Sequence, residues 1–167
     1  MQILFICVDI KKNIYYNYYV LLCSLARERK RKYDMNRKTA RENAFILLFE
    51  AECKKDESAA EIFEKALDRE LEVDDYVKNV FFGVSENKKF IDECIDKCLL
   101  KWKKERVSIV SRAILELACY EMAFVEDIPT KVSINEAIEL SKKFDDDKAY
   151  MFVNGVANAV AEELGKK

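Results

Sequence analysis

The amino-acid sequence predicts an all-α domain, on three observations. Apolar residues make up half of the 167, enough for a real core that buries roughly 70% of the unfolded surface. Three glycines (Gly83, Gly155, Gly165) and one proline (Pro129) are too few for the turns that strands and hairpins need. Between Ala40 and Leu164 the apolar residues recur three and four apart, the spacing of one helix face.

About seven helices follow in order, which together make a compact bundle. The first carries Ala44, Leu47, Leu48 and Ala51 behind an N-cap at Asn36 or Thr39. Ser58 with Glu61 three residues on is a capping box that opens the second, with Ile62, Phe63, Ala66 and Leu67 inward. Asp74 caps the third, which buries Val77, Val80, Phe81 and Val84 and holds Gly83 at its exit or at a close helix contact. The fourth, with Phe90, Ile91, Cys94, Ile95 and Cys98, leads into the charged turn "KWKKER". Val110, Ala113, Ile114, Leu117, Ala118 and Glu121 share one stripe of the fifth, which reads as a central helix flanked on both sides. It ends before Pro129, because the residue preceding a proline is pushed out of the α region. Ser133 and Glu136 form a second capping-box pattern over the sixth helix, although that helix has room to begin a turn earlier. Phe152, Val153, Val156, Ala157, Val160 and Leu164 define the seventh.

Charge divides the chain at Met35. Residues 1–34 carry seven Lys/Arg against three Asp/Glu, net +4, whereas residues 35–167 carry 22 against 28, net -6. A basic surface that grips nucleic acid everywhere is thereby excluded, and any anion site must be local. None of the six cysteines forms a CxxC pair, and there is no histidine to complete a zinc site or to serve as a general base. Cys94 and Cys98 share a helix face but read as small buried residues rather than metal ligands. A metal-dependent enzyme therefore has no ligand cluster to recommend it, no cofactor is called for, and a reducing cytoplasm fits the free thiols.

Residues 1–34 are expected to be a non-native extension, and residues 35–167 the domain proper. The apolar stretch within "NIYYNYYVLLCSLA" (13–26) is too short to span a bilayer, and "RERKRKYD" after it is no cleavage site. Fifteen of these 34 residues are Ile, Lys, Asn or Tyr, whose codons can be built from A and T alone. The purine-codable run ending at Lys32 lies where a ribosome-binding sequence would precede a start at Met35. Mass spectrometry of the native protein is expected to find an N-terminal peptide starting at Met35; any peptide from residues 1–27 would refute this.

Several stretches carry more than helix signals. "AILELACYEM" (113–122), "IPTKVSINEAIELSKKF" (128–144), "FVNGV" (152–156) and the opening "NRKTARENAFILLFE" (36–50) resemble, in this order, the NusB family of bacterial transcription antitermination. The resemblance runs from Met35 to Leu164. It implies two packed three-helix units without catalytic activity. It also implies binding to the single-stranded boxA element of ribosomal RNA leader transcripts, as a heterodimer with NusE, a protein of the small ribosomal subunit. That pair joins the RNA polymerase antitermination complex; whether the free protein is a homodimer stays open.

Arg37, Lys38 and Arg41 stand at i, i+1 and i+4, so on a helix they fan over one end beside free N–H groups and make a phosphate site. Three phosphate contacts to single-stranded RNA predict a log–log salt slope of roughly -2. Single strands also want aromatic faces, for which Tyr150 and Phe152 are candidates, with Lys148 as a further phosphate contact. Phe152 has a core reading of equal standing. Asn135, Glu136, Tyr120, Glu121, Asn154 and Gly155 read as structural, through packing or polar networks.

The partner surface implied by the resemblance comprises Phe49, where an aromatic contacts NusE, and the start of the fifth helix at Ser111 and Arg112. Ser111 stands where the family usually has a carboxylate, with Glu105 or Glu116 available to compensate; Glu116 itself replaces a common Arg. Ala149 replaces a common Ser, which leaves Asp147 to take over as cap. Two rivals remain. One is a protein-only helical adaptor, tethered to a membrane through residues 1–34. The other is the related helical domain of ribosomal RNA cytosine methyltransferases, which needs a Rossmann-like domain and its glycine-rich loop; no such loop occurs here.

Overall fold

In the computed structural model, residues 35–99 and 107–166 are described. Both the extension expected at 1–34 and the "KWKKER" turn, with Glu105, lie outside the described residues. The helices are α1 (Arg37–Cys53), α2 (Ala59–Asp68), α3 (Asp75–Glu86), α4 (Lys88–Cys98), α5 (Ile109–Phe124), α6 (Thr130–Phe144) and α7 (Ala149–Glu163). No strand occurs among the described residues.

Most helix starts follow their local chemistry. Asn36 accepts from the Thr39 N–H at 2.9 Å, Asp74 from Val77 at 2.8 Å, and Ser58 and Glu61 close a reciprocal capping box. Two expected caps are corrected. Ser133 caps nothing: α6 begins at Thr130, directly after Pro129, whose fixed φ suits a helix entrance, and the Ser133 hydroxyl is left buried inside the helix. At α7 it is Asp146, not Asp147, whose Oδ1 accepts from the N–H groups of Lys148 and Ala149, each at 2.9 Å.

α5 is the centre of the fold and packs against α1, α3, α4, α6 and α7. Ten of its sixteen residues are buried, Glu116 and Glu121 among them. The helices α1, α2 and α3 touch one another, as do α5, α6 and α7, while α4 bridges α3, α5 and α7. Gly83 lies inside α3 rather than at its exit, pressed so closely by the Tyr120 ring of α5 that any side chain would collide with it. Leu67 and Phe90, expected inside, are exposed instead. Phe90 finds an aromatic neighbour in Phe124, ring centroids 5.6 Å apart.

Candidate nucleic-acid interface

The first turn of α1 presents two of the three expected cations to solvent. Arg37 and Lys38 are exposed, and the Arg37 guanidinium lies over the Tyr76 ring of α3, 4.9 Å from its centroid. Arg41 departs from the sequence expectation. It is only 5% exposed, because its Nε donates to Glu121 Oε1 at 2.8 Å and its Nη1 approaches Glu136 Oε2 at 3.4 Å. The Tyr76 hydroxyl donates to the same Glu121 oxygen. Burial works against the charge on Arg41, and Glu121, with Tyr76 and Glu136 behind it, more than offsets it, so the guanidinium pKa rises. Burial, followed by the Glu121 charge, likewise raises the Tyr76 phenol far above its ordinary range, so it remains a donor. Glu121 and Glu136 thus have the structural role expected of them. Asn36 also consumes the Thr39 N–H, one of the groups expected to face an anion.

Beside Lys38 a groove runs between α1 and α6. Glu42 lines it from α1, and Glu136, Glu139, Lys142 and Lys143 from α6. Lys143 pairs with Glu42 and Lys142 with Glu139, both at 2.7 Å. The hydrogen bond from Lys142, then its charge, hold the Glu139 carboxyl below its usual value, and Lys38 adds to the effect. The Lys142 ammonium also lies 5.8 Å from the centroid of the Tyr150 ring. So Lys38 and Tyr150, far apart in sequence, are joined into one strip through Lys142. Lys148 is exposed at the N-terminus of α7 and Phe152 is half-buried within that helix. Sequence reasoning passed over Lys142 and Lys143, whose only signal was a basic pair in a last helical turn, where lysine suits the helix dipole anyway. Asn135, Asn154 and Gly155 are exposed rather than packed; of the two roles expected of Asn154 the polar one holds, its carbonyl and side chain accepting from Asn158, each at 2.8 Å.

The residues expected to meet a protein partner lie at the far end of α1 and the start of α5. Phe49 is half-buried against Phe45, centroids 6.1 Å apart, and Phe45 packs on Phe144 at 4.8 Å. Directly after Phe144, Asp145 Oδ2 accepts from the hydroxyls of Ser108 at 2.7 Å and Ser111 at 2.6 Å. A carboxylate is therefore held beside Ser111 after all, supplied by the residue that caps the C-terminus of α6. Arg112 turns to the other side, with Nη2 on Asp92 at 2.5 Å, Nη1 on Asp96 at 2.9 Å and Nε on Glu116 at 3.2 Å. Glu116 presents no ionic contact to a partner, being 1% exposed and held by Lys88 Nζ at 2.5 Å.

The family model described as the NusB family matches residues 38–162. The chain belongs to the NusB family. The matched segment takes in the whole of the Lys38–Lys142–Tyr150 strip and stops one residue short of Arg37. Among named relatives, the chain is 48% identical over 130 residues to the transcription antitermination protein NusB of Bacillus subtilis (strain 168), covering 78% of this chain and 98% of that one. It is 47% identical to the NusB protein of Bacillus licheniformis over 130 residues, 78% of this chain and 99% of the relative. Among solved structures, NusB of T. maritima is similar at a TM-score of 0.69 and 36% identity, covering 78% of this chain and 94% of that one. A structure described as the antitermination factors NusB and NusE in complex with dsRNA is similar at 0.66 and 28% identity, over 76% and 96% of the two chains. Antitermination is the role these NusB relatives are named for, and it is not enzymatic. Among the described residues of this NusB-family chain, no helix is long and apolar enough to cross a membrane, and no cluster of three His, Cys, Asp or Glu side chains is arranged to hold a metal.

Proposed function

We propose that the chain is a cytoplasmic transcription antitermination factor that binds boxA-type single-stranded RNA of ribosomal RNA leader transcripts together with NusE, within the RNA polymerase antitermination complex. The strip from Arg37 and Lys38 across Lys142 to Tyr150 carries this reading, because it combines phosphate ligands with an aromatic face on an otherwise acidic body. The similarity to a solved assembly of NusB and NusE with dsRNA supports the coarser part of it, RNA binding together with NusE. In this reading Arg37 and Lys38 meet phosphates, Lys148 adds a further contact, and Tyr150 and Phe152 offer rings to bases. Arg41 serves from below by fixing α1. Phe49 and Ser111, with Asp145 beside Ser111, form the side that meets NusE, whereas the expected contact from Arg112 is not part of it, its guanidinium being turned to Asp92, Asp96 and Glu116.

The test is binding to a short boxA-like RNA across a range of salt, with and without NusE, using a duplex of the same sequence as competitor. Enhancement by NusE and weak competition by the duplex are expected. An Arg37→Ala, Lys38→Ala variant removes two phosphate contacts and is expected to flatten the log–log salt slope by roughly 1.4. Unchanged affinity and slope in that variant would remove these two residues from the RNA site. Absence of any RNA binding even with NusE would favour the protein-only adaptor.

A further inference from the structure

We propose that Tyr76, a residue outside the RNA strip and nearly buried, is a positioning residue that sets the pose of Arg37; the inference rests on the reading of Arg37 as an RNA contact. An exposed arginine on a first helical turn ordinarily samples many rotamers, and ordering it on a ligand costs conformational entropy. Here its guanidinium is laid on an aromatic face 4.9 Å away. That face is itself fixed. The Tyr76 hydroxyl donates to Glu121 Oε1, the oxygen that also accepts from Arg41 Nε at 2.8 Å, and the Arg41 guanidinium lies 5.9 Å from the same ring. The ring is 8% exposed and Glu121 1%, so the platform belongs to the core while the cation it carries belongs to the surface. A guanidinium held over a ring still has five N–H donors in its plane to offer a phosphate. Tyr76 thereby connects the buried contact between α1, α3 and α5 to the solvent-facing end of α1 without touching RNA.

The experiment measures RNA affinity in the presence of NusE, together with melting temperature, for Tyr76→Phe, Tyr76→Leu, Arg37→Ala and the Tyr76→Leu, Arg37→Ala pair. Tyr76→Phe keeps the ring and loses only the bond to Glu121; a lower melting temperature with near-normal RNA affinity is expected. Tyr76→Leu removes the π face and is expected to weaken RNA binding about three- to tenfold, the size of one partly desolvated cation–π contact. In the Arg37→Ala background the same substitution is expected to have no further effect. Equal affinity losses in the Phe and Leu variants, or additive losses in the pair, would overturn the proposal, since a purely structural role predicts them. Arg37→Lys keeps the charge but not the planar guanidinium over the ring, and is readable even where Tyr76→Leu does not fold: lower affinity at an unchanged salt slope is expected, and full affinity would overturn the proposal. The underlying reading fails separately, when the unaltered chain with NusE binds no RNA.

Discussion

Replacing Arg41 by alanine is expected to destabilise the fold by about 3–5 kcal/mol, because it leaves the buried Glu121 carboxylate without its cation. Glu121 is 1% exposed and has two donors, Arg41 Nε and the Tyr76 hydroxyl. With Arg41 gone, one neutral hydroxyl remains to support a full negative charge away from water. The cost comes from orphaning that charge rather than from any large net benefit of the pair. Exchanging both partners for apolar residues of similar size, Arg41→Met with Glu121→Leu, is therefore expected to cost much less than Arg41→Ala alone. Urea unfolding of the variants measures both quantities; a loss below about 1 kcal/mol for Arg41→Ala would contradict the burial argument. Because Arg41 also anchors α1 to α5 and α6, RNA affinity is best measured on the apolar pair, where the fold is retained.

Stability is expected to fall as pH rises from about 4.5 to 7, and Glu116 is the group responsible. Lys88 serves Glu116, Glu52 and Asp92, while Arg112 serves Glu116, Asp92 and Asp96, so two cations face four carboxylates. Glu116 is the most deeply buried of the four. Burial first, and the Glu52 charge with it, outweigh Lys88 and Arg112 and push its carboxyl up from 4.5 to about 7. A folded-state pKa above the unfolded one means that the native protein holds the proton more tightly. The stabilisation is complete below the unfolded value and is lost as pH rises through the folded one, a change of about 3 kcal/mol. Glu50 is shifted the opposite way, to about 2, by its hydrogen bond from Arg69, so its contribution is constant above pH 5 and fades only in stronger acid. The chain has no histidine to titrate in the same window. Urea unfolding at several pH values between 5 and 8 is expected to show the decline in the unaltered protein and a flat profile in Glu116→Gln; parallel profiles would refute the assignment.

Helix number, helix order and the central position of α5 were legible in the sequence because they depend on local periodicity and on caps within three residues. Asn36, Ser58 with Glu61, and Asp74 all act as their spacing implies. Legibility ended where a choice depended on distant chain. Arg41 has the same local context as Arg37 and Lys38, and what turns it inward is a carboxylate 80 residues away. Ser133 matches a capping box, yet Pro129 starts the helix a turn earlier and the pattern is never used. Lys142 looks like an ordinary lysine at a helix end until folding brings Tyr150 beneath it. The serine at 111 put an ionic contact in doubt and pointed to Glu105 or Glu116 as compensation, whereas the fold brings Asp145 beside it.

The attachment of α2 has a consequence for motion. Of its own residues it buries only Ile62 and Ala66, it packs mainly on α1 and α3, and it is followed by Glu70 in a left-handed conformation (φ 61°) that glycine would adopt without strain. Such a unit opens by itself, well below the free energy of global unfolding. Native-state hydrogen exchange should therefore divide the chain unevenly: amides of α2 exchanging first, through local opening, and those of α5 last, only when the whole molecule unfolds. The elements that carry the proposed RNA strip would keep their shape while α2 comes and goes.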